Sequence, residues 1–175
     1  KMRAQRQDYV RYLHDAQGQL RVNCQIRRTR TGLKLWGIRY KGNQEDVLLH
    51  WQRFASSLEQ LLPDYQGPCY GLFYDDPAIT PAGEVRYGCA IEMPAYAGLP
   101  PEGWYNTDIP PGRFVVFQLA ENSYQQNHHL LCPAVMHWFI NHAEQFGSAG
   151  SYEIFPHLPS TDPAEHYPLQ LFISL

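Results

Sequence analysis

The chain has 175 residues, 44% of them hydrophobic and 14% aromatic, enough to bury one large core, yet no run of about eighteen apolar residues occurs, which argues against a membrane-spanning helix. The opening residues lack the apolar stretch of a secretory signal, which leaves the cytoplasm as the expected compartment, and Cys24, Cys69, Cys89 and Cys132 lie too far apart for a disulfide framework or a zinc knuckle, so buried free thiols are expected. The net charge of −3 hides an asymmetry: eleven of fourteen basic residues precede residue 42 against Asp8 and Asp15 alone, while fifteen acids follow against Arg53, Arg86 and Arg113, so the body repels phosphate backbones.

Residues 1–19, KMRAQRQDYVRYLHDAQGQ, are charged and glutamine-rich with loose apolar spacing at Val10 and Leu13, which predicts a basic linker or fraying helix outside the domain. Strand-like material follows: "LRVNCQIRRT", then "LKLWGIRY" with Trp36, Ile38 and Tyr40 on one face. In "EDVLLHWQRFASSLEQLL" the residues Val47, Leu48, Trp51, Phe54, Ala55, Leu58, Leu61 and Leu62 recur at helical spacing, with Asn43 as the cap and Pro63 as the stop. Strands "CYGLFYDD" and "VRYGCAIEM" come next, joined by "PAITPAGE"; Asp75 and Asp76 before Pro77 read as turn formers.

The second half repeats that order. "RFVVFQL" leads through a polar loop to "CPAVMHWFINHAEQFG", a helix with Pro133 in its first turn, Gly147 past its end, and Val135, Met136, Phe139, Ile140, Ala143 and Phe146 as the buried stripe. "SYEIFPHL", a turn and "YPLQLFISL" close the chain. Gly32 with Gly112, Trp51 with Trp138, Tyr70 with Tyr152 and Tyr87 with Tyr167 line up at an offset of roughly eighty residues. The expected fold is α+β: a duplicated βαββ module (about 22–94 and about 109–175, within a domain of 20–175), forming an antiparallel sheet with two long helices on one face and a ligand cleft between the repeats.

Glu153 is the residue this arrangement singles out. It sits mid-strand between Tyr152 and Ile154, where the first repeat has Gly71 between Tyr70 and Leu72, so one repeat opens space and the other supplies charge. An ionised carboxylate in an apolar cleft costs several kcal/mol, or takes up a proton, unless a cation answers it. Aromatic faces add cation–π attraction, and the expected lining beside Glu153 is Tyr74, Tyr87, Trp104, Phe117, Trp138 and Phe155; Trp104, in "GLPPEGWYN", is either a wall or a lid.

The βαββ-βαββ order, "YDDP" at 74–77, "RYGCAIEM", "IPPGRFVVF", "HWF" and "YEIFP" together resemble the GyrI-like small-molecule-binding domain, over about residues 22–175. That family also supplies effector-binding domains to AraC-type and MerR-type bacterial transcription regulators. The resemblance implies a cleft for amphipathic, cationic aromatic compounds, with Glu153 as its acidic anchor. Tyr87 matches the aromatic of the family's "R-Y-D" strand, but Gly88 stands where an acid is expected. The implied function is effector binding in a regulator that meets DNA only through a separate helix-turn-helix domain; a homodimer is compatible with it. A first residue other than methionine and the basic lead fit a piece of a longer chain.

Two other classes stay open. Some relatives are hydrolases of reactive small molecules, and Glu153 with Tyr87 or Tyr152 suits general acid–base work; others are stand-alone gyrase-interacting proteins. Binding without catalysis is the preferred expectation. His137 and His142 do not share a helix face, and His128 and His129 lie in a polar loop, so no metal is expected; no cofactor motif is present, and Glu92 reads as a solvated strand end.

Overall fold

The computed structural model describes residues 10–14, 20–74, 83–96, 98–122, 134–142, 144–160, 162, 165 and 167–175. In chain order these form β1 (Val10–His14), β2 (Leu20–Arg28), β3 (Leu33–Asn43), α1 (Val47–Leu61), β4 (Cys69–Phe73), β5 (Glu84–Glu92), β6 (Tyr105–Ile109), β7 (Arg113–Asn122), α2 (134–141), β8 (Ser151–Phe155) and β9 (Tyr167–Ser174). The strands make one antiparallel sheet in the order β1-β2-β7-β9-β8-β4-β5-β3-β6. Within it the runs β3-α1-β4-β5 and β7-α2-β8-β9 occupy mirror-related places, and β4 meets β8 at the centre with Gly71 directly opposite Glu153.

Side chains alternate across each strand, so the register sorts them into two layers. On one side Cys24, Phe117, Leu171, Glu153, Gly71, Cys89 and Ile38 form a continuous row across seven strands. This is the side the helices cover: Trp51, Phe54 and Leu58 of α1 and Ala134 and Trp138 of α2 belong to the same apolar cluster as Phe117, Cys89 and Leu171. The other side holds a second cluster built on Tyr70, Leu72, Phe114, Val116, Tyr152 and Phe172, where the Tyr152 and Phe172 rings stack at 4.8 Å and Phe114 meets both edge-on.

α1 follows the expected stripe, with His50 added to its buried face, and it stops before Pro63 with the Leu62 N–H donating to the Leu58 carbonyl. Its start differs. A turn of 3-10 helix covers Gln44–Asp46, and Asp46 takes the cap position while its carboxylate accepts from the Asn43 N–H; Asn43 is therefore strand, not cap. α2 is shorter and rotated relative to expectation. Two apolar stripes compete on it, and the large indole of Trp138 wins the core: Ala134 and Trp138 are buried, Val135 and Phe139 half-buried, whereas Met136 and Ile140 are exposed, as is Phe146 beyond the helix end. The His142 ring stacks on Trp138 at 4.3 Å and bonds the Trp138 carbonyl.

Three further expectations change. Val10–His14 is a strand on the free edge of β2, not helix or linker, because an unpaired strand edge offers hydrogen bonds that a short β-branched and aromatic segment can take; the rest of 1–19 lies outside the described residues. Tyr105–Ile109 adds a second edge strand, on β3. Register also moves one correspondence: Gly71 pairs with Cys89 and Glu153 with Leu171, so the counterpart of Tyr87 is Leu169, not Tyr167. Cys24, Cys69 and Cys89 are free and buried; Cys132, Pro133, Ala143, the turn at Asp75 and Asp76, and His128 and His129 lie outside the described residues. No helix among the described residues is long and apolar enough to cross a membrane.

The two stripes of α2 separate in a stability measurement. Trp138→Ala removes a buried indole and is expected to cost about 3–5 kcal/mol, whereas Ile140→Ser is expected to stay within about 0.5 kcal/mol. Urea unfolding checks both, and equal losses would contradict the rotation of the helix described here.

Candidate functional site

Glu153 faces the helices from the centre of the sheet and is only 2% exposed. Parity puts it there: in β8 Tyr152 and Ile154 belong to the opposite cluster, and Glu153 and Phe155 share the covered side. Its partner across the seam has no side chain, and that vacancy is filled. A Cβ built on Gly71 would fall inside the contact radius of the Tyr87 phenol oxygen and 2.9 Å from Glu153 Oε2. Glycine at 71 is thus what lets Tyr87 reach across β4 from β5.

The reach completes a directed chain of hydrogen bonds. Trp51 Nε1–H donates to the Tyr87 oxygen at 3.1 Å, and the Tyr87 O–H donates to Glu153 Oε2 at 2.9 Å. With its oxygen already accepting from the indole, the phenol is oriented to give its proton to the carboxylate. Rings close the space around it. Trp51 meets Phe155 edge-on at 5.3 Å and Tyr87 at 6.1 Å, and Phe73 packs on Tyr87 at 5.3 Å. From Trp51 the contacts run outward through Phe54 to the half-buried Trp104, an aromatic line from the enclosed carboxyl toward the surface.

No described residue neutralises the charge at the centre. Among the described residues Glu153 has no Lys, Arg or His within ion-pair distance, and Tyr87 is its hydrogen-bond partner. Burial pushes the carboxyl up to about 7 from an ordinary 4.5, and the Tyr87 hydrogen bond only partly offsets this. Nearby thiols add no cation. Burial drives Cys89 well above its usual range, assisted by Cys69 and Glu153, and pushes Cys69 up to about 12.

Of the residues expected to line the site, the fold brings Tyr87 and Phe155 to Glu153 and connects Trp104 to them through Phe54. Phe117 and Trp138 are fully buried on the same side but pack on each other at 6.5 Å, with β9 and its Leu171 between them and Glu153. Tyr74 is not brought there. It lies on the far side of the sheet, its hydroxyl on Thr107 Oγ1 and its ring under Arg39. Trp51, which orients Tyr87, was legible only as a core residue; its alignment with Trp138 was the signal that marked it. Tyr152, the other phenol weighed beside Glu153, faces the second cluster. Glu92 accepts a 2.7 Å bond from the Tyr70 hydroxyl.

The family model described as GyrI-like small molecule binding domain matches residues 28–175. Among solved structures, the EcmrR C-terminal domain superposes with a TM-score of 0.64 at 11% identity, over 87% of this chain and 96% of that one. SAV2435 bound to tetraphenylphosphonium gives 0.57 at 14% identity, over 86% and 92%. EcmrR in its DNA complex gives 0.60 at 10% identity over 87% of this chain; the present chain spans 56% of that protein's length. No curated protein sequence matches this chain.

Two expected outcomes test the geometry. Below pH 4.5 the Glu153 carboxyl keeps its proton folded or unfolded; between 4.5 and about 7 only the unfolded chain releases it, so stability falls as pH rises, and above about 7 the full cost is in place. Relative to Glu153→Gln, the native chain is expected to lose about 3 kcal/mol between those limits, read from urea midpoints across pH. Gly71→Ala must displace the Tyr87 phenol and is expected to cost about 1–3 kcal/mol and to shift tyrosine and tryptophan absorbance in the near-ultraviolet circular dichroism.

Proposed function

Because the chain belongs to the GyrI-like small molecule binding domain family, we propose that it is a receptor for an amphipathic, cationic aromatic molecule, with Glu153 as the anchor for positive charge. The observation that carries this is the buried carboxyl with no cation beside it among the described residues, held by a phenol in a shell of Trp51, Phe155, Phe73 and Phe54. A guest bearing a delocalised charge answers both features: its cation replaces the proton on Glu153, and its rings stack on tryptophan and phenylalanine faces, worth about 0.5–2 kcal/mol for each cation–π contact. The tetraphenylphosphonium held by SAV2435, a protein of similar fold, is a molecule of this kind.

The binding space in this reading is the seam between β4 and β8, and the two βαββ runs that meet there are copies of one module. Tyr87 occupies the space above Gly71, so the guest enters along the line from Trp104 through Phe54 as the phenol turns aside. The receptor serves as the effector half of a transcription regulator, its operator contacts made by a separate helix-turn-helix domain. The shared fold of EcmrR in its DNA complex supports that role, as does the excess of acids in the body of the chain, which disfavours direct DNA contact. A second reading draws on the same geometry: a carboxyl that titrates near neutrality, bonded to a phenol, suits acid–base hydrolysis of a strained electrophile.

The test follows the linkage. Tetraphenylphosphonium is expected to quench tryptophan fluorescence saturably, and Glu153→Gln to weaken its binding by about 1.5–3 kcal/mol. In the native chain affinity should fall about tenfold per pH unit below 7 and level off above it, since the carboxyl must shed its proton before pairing; the glutamine variant should be flat. Affinity independent of pH in both proteins would overturn the anchor role. Time-dependent product from an epoxide, lost in the same variant, would place the chain among hydrolases instead.

A further inference from the structure

The geometry points to a second binding site, for a small phosphorylated molecule, on the sheet face away from the helices. Along β3 the residues Leu35, Arg39 and Lys41 share that face, and Arg86 of β5 joins them by register, directly opposite Lys41. Arg39 faces Gly88, and the missing side chain at Gly88 lets the Tyr74 ring lie over the strand: a Cβ there would sit 2.8 Å from Tyr74 Cε2. The ring is fixed by the 3.1 Å hydrogen bond between its hydroxyl and Thr107 Oγ1. Above it lies the Arg39 guanidinium, 4.8 Å from the Tyr74 centroid and 4.9 Å from that of Tyr105. Arg39, Tyr40, Lys41, Tyr74 and Arg86 together line a recess of about 300 Å³.

Two properties make this recess an oxyanion site. The Glu84 carboxylate is 3.9 Å from the Lys41 ammonium with both side chains well exposed, a contact too long and too wet to neutralise it. A guanidinium that rests its face on aromatic rings keeps its N–H edge for an acceptor and loses little freedom when it binds a phosphate in two-pronged fashion. The occupant is a small molecule and not a nucleic acid: a recess of about 300 Å³ is of ligand size, and the fifteen acids that follow residue 41 repel a long phosphate backbone running on across the rest of the chain. The sheet separates this recess from Glu153, so the two sites stand or fall independently.

Titration calorimetry of the whole chain with phenyl phosphate and with inorganic phosphate, at low ionic strength, tests the assignment. Saturable one-to-one binding of phenyl phosphate is expected. Arg39→Gln should weaken it about tenfold or more, and Tyr74→Leu should do so comparably although it removes no charge. Glu153→Gln should leave it unchanged. Thermal melts show whether the variants are folded; should Tyr74→Leu fail to fold, Arg39→Lys, which keeps the charge and loses the fork, is expected to show the same loss. Heats that never saturate, or binding that survives Arg39→Gln, would overturn the site. A single-stranded oligonucleotide that binds more tightly than phenyl phosphate through the same residues would reassign the recess to polyanions and overturn the small-molecule reading.

Discussion

A carboxyl enclosed at the middle of a nine-stranded sheet, with a phenol as its hydrogen-bond donor, is the constraint on which the rest of this structure depends. Position 71 must be glycine because the phenol oxygen stands where a Cβ would be. Residue 87 must be long enough to cross β4, and Trp51 must present its indole N–H so that the phenol gives its own proton to Glu153. α1 is held against β3 and β5 in part by that indole contact, so the packing of a helix and the orientation of a charge-bearing group are one requirement. Removing the carboxyl while keeping its shape should relieve the burial cost and leave the packing, which is how the anchor can be separated from the scaffold.

The strand parity that encloses Glu153 also sorts the side chains of β3 and β5 between the two faces of the sheet. Residues facing the helices along β3 and β5 are Trp36, Ile38, Tyr40, Val85, Tyr87 and Cys89, while their neighbours Arg39, Lys41 and Arg86 emerge on the other side. The second half of β3 therefore carries an apolar face and a cationic one. The positive charges sit where the low-dielectric layer around Glu153 cannot be reached by their side chains, so they do not satisfy the acid they outnumber locally. A one-residue slip of β3 would exchange the two sets, burying Arg39 and Lys41 under α1, and the cost of that exchange pins the register.

Much of this was legible in the residues. The helix over 47–61 announced itself through repeated apolar spacing, and the central strands through alternation ended by glycine and proline. Opposition of Gly71 and Glu153 followed from aligning the halves, because the runs β3-α1-β4-β5 and β7-α2-β8-β9 meet edge to edge at β4 and β8. What escaped had a physical reason in each case. Edge strands β1 and β6 are short and lack a clean apolar alternation, so a free neighbouring edge decides their pairing. α2 carries two stripes of similar hydrophobicity, and only the volume of Trp138 selects between them. Aromatic character alone suggests a place for Tyr74 beside Glu153, but it lies one residue past Phe73 and so takes the opposite parity.

The seam itself shows why the two halves had to differ. β4 and β8 run antiparallel with positions 71 and 153 side by side, and side chains directly opposite on such a pair stand about 5 Å apart. Two glutamates there would repel so strongly in an apolar layer that one would stay protonated, leaving a single charge and a second carboxyl filling the space that Tyr87 occupies. Two glycines would leave room but no charge. One glycine with one glutamate gives the space and the charge together, and the phenol from β5 uses the first to stabilise the second. The asymmetry at this pair is thus what allows a nearly symmetric scaffold to hold one buried acid.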